Sequence, residues 1–196
     1  MSERVKASEP RGETPFQTIG PFFSFALDFR DGEKLTVDGT TGTPIVVSGT
    51  VLDGAGAPIP DALIEIWQAN AAGRYHHPDD RRDAPALDPA FDGFGRAGTD
   101  DAGRFAFATI KPGRVPGPSG RLQAPHILVS VLGRGILTRL VTRLYFEDAA
   151  ANADDPILAM VPEARRSTLV ARLETPGRYR FNIVIQGDNE TVFFDV

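Results

Sequence analysis

Apolar and polar residues alternate along 178–186: Tyr179, Phe181, Ile183 and Ile185 fall on one side, with Arg178, Arg180, Asn182 and Val184 on the other. A period of two belongs to a strand with one face buried, because successive strand side chains point to opposite faces. Comparable runs at 45–52, 62–68, 104–110, 126–132, 138–146, 169–173 and 191–194 predict seven further strands. Nowhere do apolar residues recur at helical spacing for more than about three turns. Asp155-Pro156 ahead of 157–166 places an N-cap residue and a first-turn proline before a short amphipathic run, and so predicts one brief helix that Pro162 limits. Eight short strands predict an all-β chain: a two-sheet antiparallel β-sandwich with long loops and at most one or two short helices.

The punctuation agrees. Asp53-Gly54-Ala55-Gly56 and Asp100-Asp101-Ala102-Gly103 supply residues that tolerate positive φ between neighbouring strands. Two connections, 69–99 and 111–125, exceed the roughly 12 to 15 residues usual for a structureless loop, which marks them for function or assembly. With 196 residues, 41% of them hydrophobic, the chain is sized for one core. The expected organisation is a flexible N-terminal arm over 1–13 and one domain over 14–196.

Charge and composition narrow the function. The formal net charge is −5 and no run of Lys or Arg forms a phosphate-binding stripe, which argues against nucleic acid. The first fourteen residues are polar and no apolar stretch approaches the roughly 20 residues of a membrane span, so a cytoplasmic protein is expected. Cysteine is absent, leaving His, Tyr and carboxylates as the only candidate metal ligands. Neither a Gly-x-Ser-x-Gly elbow nor a phosphate-binding Gly-rich loop is present.

The three histidines are the residues with chemistry to offer. His76 and His77 lie beside Tyr75, Asp79 and Asp80 in the first long loop, and His126 opens a strand after the second. His77, Asp79 and His126 fit the loose pattern of a two-His, one-carboxylate iron site. Against this stands the plainer reading of solvated loop histidines and a hydrogen-bonded histidine at a strand end. Tyr75 is open to the same choice between ligand and buried ring. On the strand from 126, His126, Leu128 and Ser130 share a face, so a His-x-His pair would aim two imidazoles at one metal. Here the second position is Leu128, which cannot ligate.

Several blocks together resemble the intradiol ring-cleavage dioxygenases: Thr14-Pro15-Phe16-Gln17-Thr18-Ile19-Gly20-Pro21-Phe22, Ala62-Leu63-Ile64-Glu65-Ile66-Trp67-Gln68-Ala69-Asn70, Gly73-Arg74-Tyr75, Phe94-Gly95-Arg96, Thr109-Ile110-Lys111-Pro112-Gly113, Ala124-Pro125-His126-Ile127 and Thr142-Arg143-Leu144-Tyr145-Phe146. The resemblance runs from Thr14 to Val196. It implies a β-sandwich and, in catalytic members, ferric iron held by two tyrosines and two histidines. Tyr75 matches the first tyrosine and His126 the first histidine. The second tyrosine falls at Val115 and the second histidine at Leu128, and an arginine expected three residues before the first histidine is Gln123. The resemblance therefore implies vestigial ligand positions, no catalytic residue and no bound metal in this chain. Fe(III) would belong to a homologous beta subunit, and a carboxylated catechol and O2 would meet at the subunit boundary. Thr18, Gly20, Pro21 and Arg134 would line that pocket. The alternatives are a self-sufficient iron oxygenase using His77, Asp79 and His126, or a purely structural β-sandwich.

Overall fold

The computed structural model describes residue 27, residues 30–117 and residues 120–195. The arm expected over 1–13, and Thr18, Gly20 and Pro21, lie outside the described residues. Among the described residues the strands are β1 Pro44–Leu52, β2 Leu63–Trp67, β3 Phe94–Gly98, β4 Arg104–Ile110, β5 His126–Leu132, β6 Leu140–Phe146, β7 Val170–Thr175, β8 Arg178–Arg180 and β9 Ile183–Val184. Seven of the predicted segments carry strands. The alternation at 178–186 holds, with Tyr179, Phe181 and Ile183 buried, but the strand breaks in two. Its two parts pair in parallel with β1 at Val46–Ser48 and at Val51–Leu52. Between them lies Gly49, where an added Cβ would stand 1.8 Å from the Phe181 carbonyl oxygen.

Three expectations fail locally. Residues 191–194 form no strand, although Thr191 N donates to Val184 O (2.9 Å) and Phe194 N to Val141 O (2.8 Å). Conversely, β3 lies inside the expected long loop 69–99. Its sequence, Phe-Gly-Arg-Ala-Gly, has little strand propensity. Tertiary packing decides it: Leu35 Cδ1 would stand 2.5 Å from a Cβ at Gly95, so the neighbouring chain needs glycine there. The predicted helix is also broken. The span 157–166 contains a 3-10 turn at Leu158–Met160 and one α-helical turn, α1, at Glu163–Arg166, with further 3-10 turns at Ala150–Asp154 and Ser167–Leu169 on either side.

The prediction of two separate sheets is corrected. The strands follow one hydrogen-bonded path, β3-β2-β5-β6-β7-β8-β1-β4, with β9 attached to β1. The join is β7, which is parallel to β6 at Tyr145↔Val170 and Phe146↔Ala171 and antiparallel to β8 across a bulge between Leu173 and Thr175. A bulge sharpens local twist, and the path turns back until its end strands β3 and β4 touch. The result is a nearly closed, barrel-like sheet. Its interior holds Val47, Val51, Ile64, Phe107, Ile127, Val131, Leu144, Phe146 and Ile183, all at most 2% exposed. Each such side chain contributes roughly 1.5–3 kcal/mol by leaving water.

Candidate functional site

The register places the candidate chemistry on the outer face of the β2-β5-β6 half. Ile127, Val129 and Val131 point inward, so His126 and Leu128 point outward. His126 is opposite Tyr145, and Leu128 is opposite both Arg143 on β6 and Trp67 on β2. The two long connections cover this face.

The first connection is pinned where it leaves β2. The Gln68 amide, 1% exposed, donates to Ile110 O (2.9 Å) and accepts from Thr109 Oγ1 (2.8 Å). Asn70 Oδ1 accepts from Ala72 N (3.0 Å) and Arg74 N (2.9 Å), folding a turn, while Asn70 Nδ2 donates to Ala86 O (3.0 Å). Backbone packs on backbone here. A Cβ on Gly113 would meet Gly73 N at 2.4 Å, and one on Gly73 would meet Arg114 O at 2.0 Å, so the Lys111-Pro112-Gly113 turn locks against Gly73 and brings Val115 beside Tyr75.

Asp80 then fixes Tyr75. Its carboxylate accepts from Tyr75 N (2.9 Å) and is clamped by Arg82 Nε (2.7 Å) and Nη2 (2.5 Å). The Arg82 hydrogen bond holds the Asp80 carboxyl well below the usual carboxylate range. Tyr75 stacks on Trp67 with ring centroids 5.9 Å apart. A cleft of about 630 Å³ opens here, lined in part by Trp67, Tyr75, His77, Asp80, Arg82 and Val115.

The second connection is held together through its described residues. Pro116 and Leu122 form an antiparallel bridge, and Gln123 N donates to Val115 O (2.8 Å). At its base Ala124 N donates to Asp155 Oδ2 (2.6 Å).

His126 is 5% exposed and both ring nitrogens are engaged. Because Nδ1 lies 2.8 Å from the Ala124 carbonyl oxygen, which can only accept, Nδ1 carries the proton. Nε2 therefore presents its lone pair, and Arg143 Nη1 donates toward it at 3.4 Å. The same Nη1 donates to Gln123 Oε1 at 2.5 Å, and the guanidinium lies 5.9 Å from the Phe194 ring centroid. Burial, reinforced by the Arg143 charge, pulls the His126 imidazolium pKa down to about 4. Tyr75 is shifted the other way: burial raises its phenol, with Arg143 and Arg82 opposing.

These residues do not fit a ferric ion. A tyrosinate–histidine site needs phenolates and free imidazole lone pairs. Of the four positions that the family resemblance implies, two are the apolar Val115 and Leu128, burial favours the protonated Tyr75 phenol, and the His126 lone pair faces a guanidinium. The alternative triad does not assemble. His77 and Asp79 are exposed partners 3.7 Å apart at the cleft mouth, whereas His126 lies buried on β5. Among the described residues no three His, Asp or Glu side chains converge to hold a metal. Arg134 sits past the far end of β5, roughly 20 Å along the strand from His126, exposed and ion-paired with Asp61. Sequence reasoning missed Arg143, although its place in Thr142-Arg143-Leu144-Tyr145-Phe146 and the one-face pattern of the strand at 126 were the available signals.

A family model described as Dioxygenase matches residues 19–187. The chain belongs to the intradiol dioxygenase family. It is 44% identical over 200 residues to the protocatechuate 3,4-dioxygenase alpha chain of Burkholderia cepacia, covering 94% of this chain and 98% of that one. It is 46% identical over 171 residues to the beta chain of the same organism's enzyme, over 83% of this chain and 70% of that one. Among solved structures, the dioxygenase domain of a carbohydrate-binding fusion protein from Streptomyces sp. SirexAA-E superposes with a TM-score of 0.60 at 28% identity, covering 90% of this chain and 99% of that domain.

Proposed function

We propose that this chain is the alpha subunit of a protocatechuate 3,4-dioxygenase, an oxidoreductase subunit that holds no iron and supports catalysis in a homologous beta subunit. The observation that carries the proposal is the state of the ligand positions: Val115 and Leu128 cannot coordinate, and Arg143 stands against His126. Similarity to a curated alpha chain over nearly all of both proteins supports the same reading.

Fe(III) held by the beta partner would supply the chemistry that activates a catechol ring toward O2. Cleavage between the hydroxyl-bearing carbons gives 3-carboxy-cis,cis-muconate. This chain contributes walls and electrostatics to that pocket, through Thr18, Gly20 and Pro21 from its N-terminal segment and through Arg134. An exposed guanidinium is suited to the carboxylate of the ring. Its distance from Tyr75 and His126 fits a role in the partner's pocket rather than in the cleft of this chain. No helix among the described residues is long and apolar enough to cross a membrane.

The test is co-purification with an iron-bearing beta chain, followed by steady-state ring cleavage. Arg134→Ala in the complex should raise KM for protocatechuate about tenfold with iron content unchanged. An unaltered KM would remove Arg134 from the substrate pocket, and failure of the two chains to associate would overturn the subunit reading itself.

A further inference from the structure

The absence of ligands at two positions would by itself weaken metal binding, but the arrangement around Arg143 goes further. Its guanidinium is half-buried on the face that presents His126, and its cross-strand partner is Leu128, the position of the second family histidine. Directly opposed residues of an antiparallel pair hold their Cβ atoms about 4.5–5.5 Å apart. An imidazole restored at 128 would therefore meet Arg143 before it met a metal. The groups that touch Arg143 are neutral: Gln123 Oε1, His126 Nε2, the Tyr145 hydroxyl and the Phe194 ring, and the buried Asp155 carboxylate is linked to it only through Tyr145 Oη. Among the described residues no carboxylate forms an ion pair with it. Gln123 occupies the position where the family resemblance places an arginine, and here it serves as an acceptor for one.

We infer that Arg143 is a built-in cation, held against the lone pair of His126 that would face a metal, and that it excludes iron from this chain independently of the missing ligands. A guanidinium is charged at every physiological pH, and a second, higher positive charge beside it is opposed in a poorly solvated site. The position is thus occupied by a fixed charge that needs no metal supply and cannot be lost to a chelator. This inference rests on the family match and the local geometry, and it holds whether or not the chain has a partner.

The experiment is restoration. The full chain carrying Val115→Tyr and Leu128→His is compared with the same variant carrying in addition Arg143→Gln or Arg143→Lys. Each is loaded with ferrous iron, exposed to air, desalted and assayed for iron per chain and for the visible tyrosinate-to-iron absorption, with circular dichroism as the check on folding. The double variant should retain about a tenth of an iron or less, the Gln triple variant about one, and the Lys triple variant should behave like the double. Equal iron in the double and the Gln triple variants would overturn the inference. So would full loading of the Lys triple variant, or a folded Gln triple variant that stays empty. Should the triple variants unfold, Arg143→Gln alone carries the test. Zinc should then shift the His126 ring resonances in that variant and leave those of the wild type unmoved, and no shift in the variant would refute the role of Arg143.

Discussion

Asp155 offers the most quantitative test of how the site is supported. Its carboxylate is fully buried and accepts four hydrogen bonds: Oδ2 from Ala124 N (2.6 Å), and Oδ1 from Tyr145 Oη (3.1 Å), Ile157 N (2.9 Å) and Leu158 N (2.7 Å). It thereby ties the base of the second long connection to β6 and to the 3-10 turn at Leu158–Met160. Asp155→Asn conserves shape but leaves one acceptor atom. If the amide oxygen keeps the three donors at Oδ1, its NH2 confronts Ala124 N–H, a buried donor left without an acceptor at about 1–3 kcal/mol. Three charge-assisted bonds also become neutral ones, which adds about 1–2 kcal/mol in total. The flipped amide is worse, since it would face three donors. The expected loss is roughly 3–4 kcal/mol, or about 10 °C in Tm at this chain length. Tyr145→Phe removes one donor and leaves the carboxylate satisfied by the rest, for about 1 kcal/mol. Urea and thermal unfolding followed by circular dichroism measure both. An Asp155→Asn variant no less stable than Tyr145→Phe would refute the reasoning. Since the Ala124 carbonyl accepts from His126 Nδ1, the Asn variant should also shift the His126 ring signals.

Two further expectations concern the same region. Because the folded-state pKa of His126 is lowered to about 4 from the ordinary 6.5, the unfolded chain takes up its proton first. The stabilisation is therefore full above pH 6.5 and lost as pH falls toward 4, by about 3 kcal/mol; His126→Gln should flatten the unfolding free energy across that window, and an unchanged slope would contradict it. Gly113→Ala forces a methyl group within 2.4–2.7 Å of backbone atoms at Gly73, Ala71 and Ala72; it should cost about 2–3 kcal/mol, seen as a reduced urea midpoint at constant m-value, and wild-type stability would show that the turn is not locked there.

The strand content was legible because period-two burial is a local signal. Tyr179, Phe181 and Ile183 declare their face without any knowledge of their neighbours, and β5 reads the same way through Ile127, Val129 and Val131. β3 was not legible: Phe94-Gly95-Arg96-Ala97-Gly98 is a strand only because β2 offers it an edge and Leu35 demands a glycine. Closure of the sheet was hidden for a related reason, since it depends on β7 pairing two ways, which no pattern within Val170–Thr175 announces. The site was half legible. Alternation placed Leu128 on the face of His126, as the register confirms, but alternation on one strand says nothing of what lies opposite on the next. Arg143 became visible only with the register. Asp155 was legible as a capping residue, and its carboxylate does accept the amides of Ile157 and Leu158. Its bonds to Ala124 and Tyr145 are long-range and had no local signature.

The blocks that carry the family resemblance behave differently from the positions that carried its chemistry. Glu65 binds Arg96 through two guanidinium nitrogens, at 2.8 and 2.5 Å, Gln68 joins β2 to β4, and Asn70 with Gly113 sets the packing of the two long connections. Each of these side chains or turns is used by the fold whether or not iron is bound, and replacing any of them leaves buried polar groups unpaired or backbones in collision. Val115, Leu128 and Gln123 stand where the family resemblance implies polar groups for metal and substrate. Once those ligands are absent, a cavity lined by one phenol and one imidazole is a polar void. Apolar side chains, with a guanidinium that satisfies Gln123 and His126, leave the polar groups at the His126 side of it paired. The chain thus keeps the framework of its family while the Tyr75–His126 region is packed as structure, which is the arrangement expected if, as proposed, its contribution is made at a neighbour's iron.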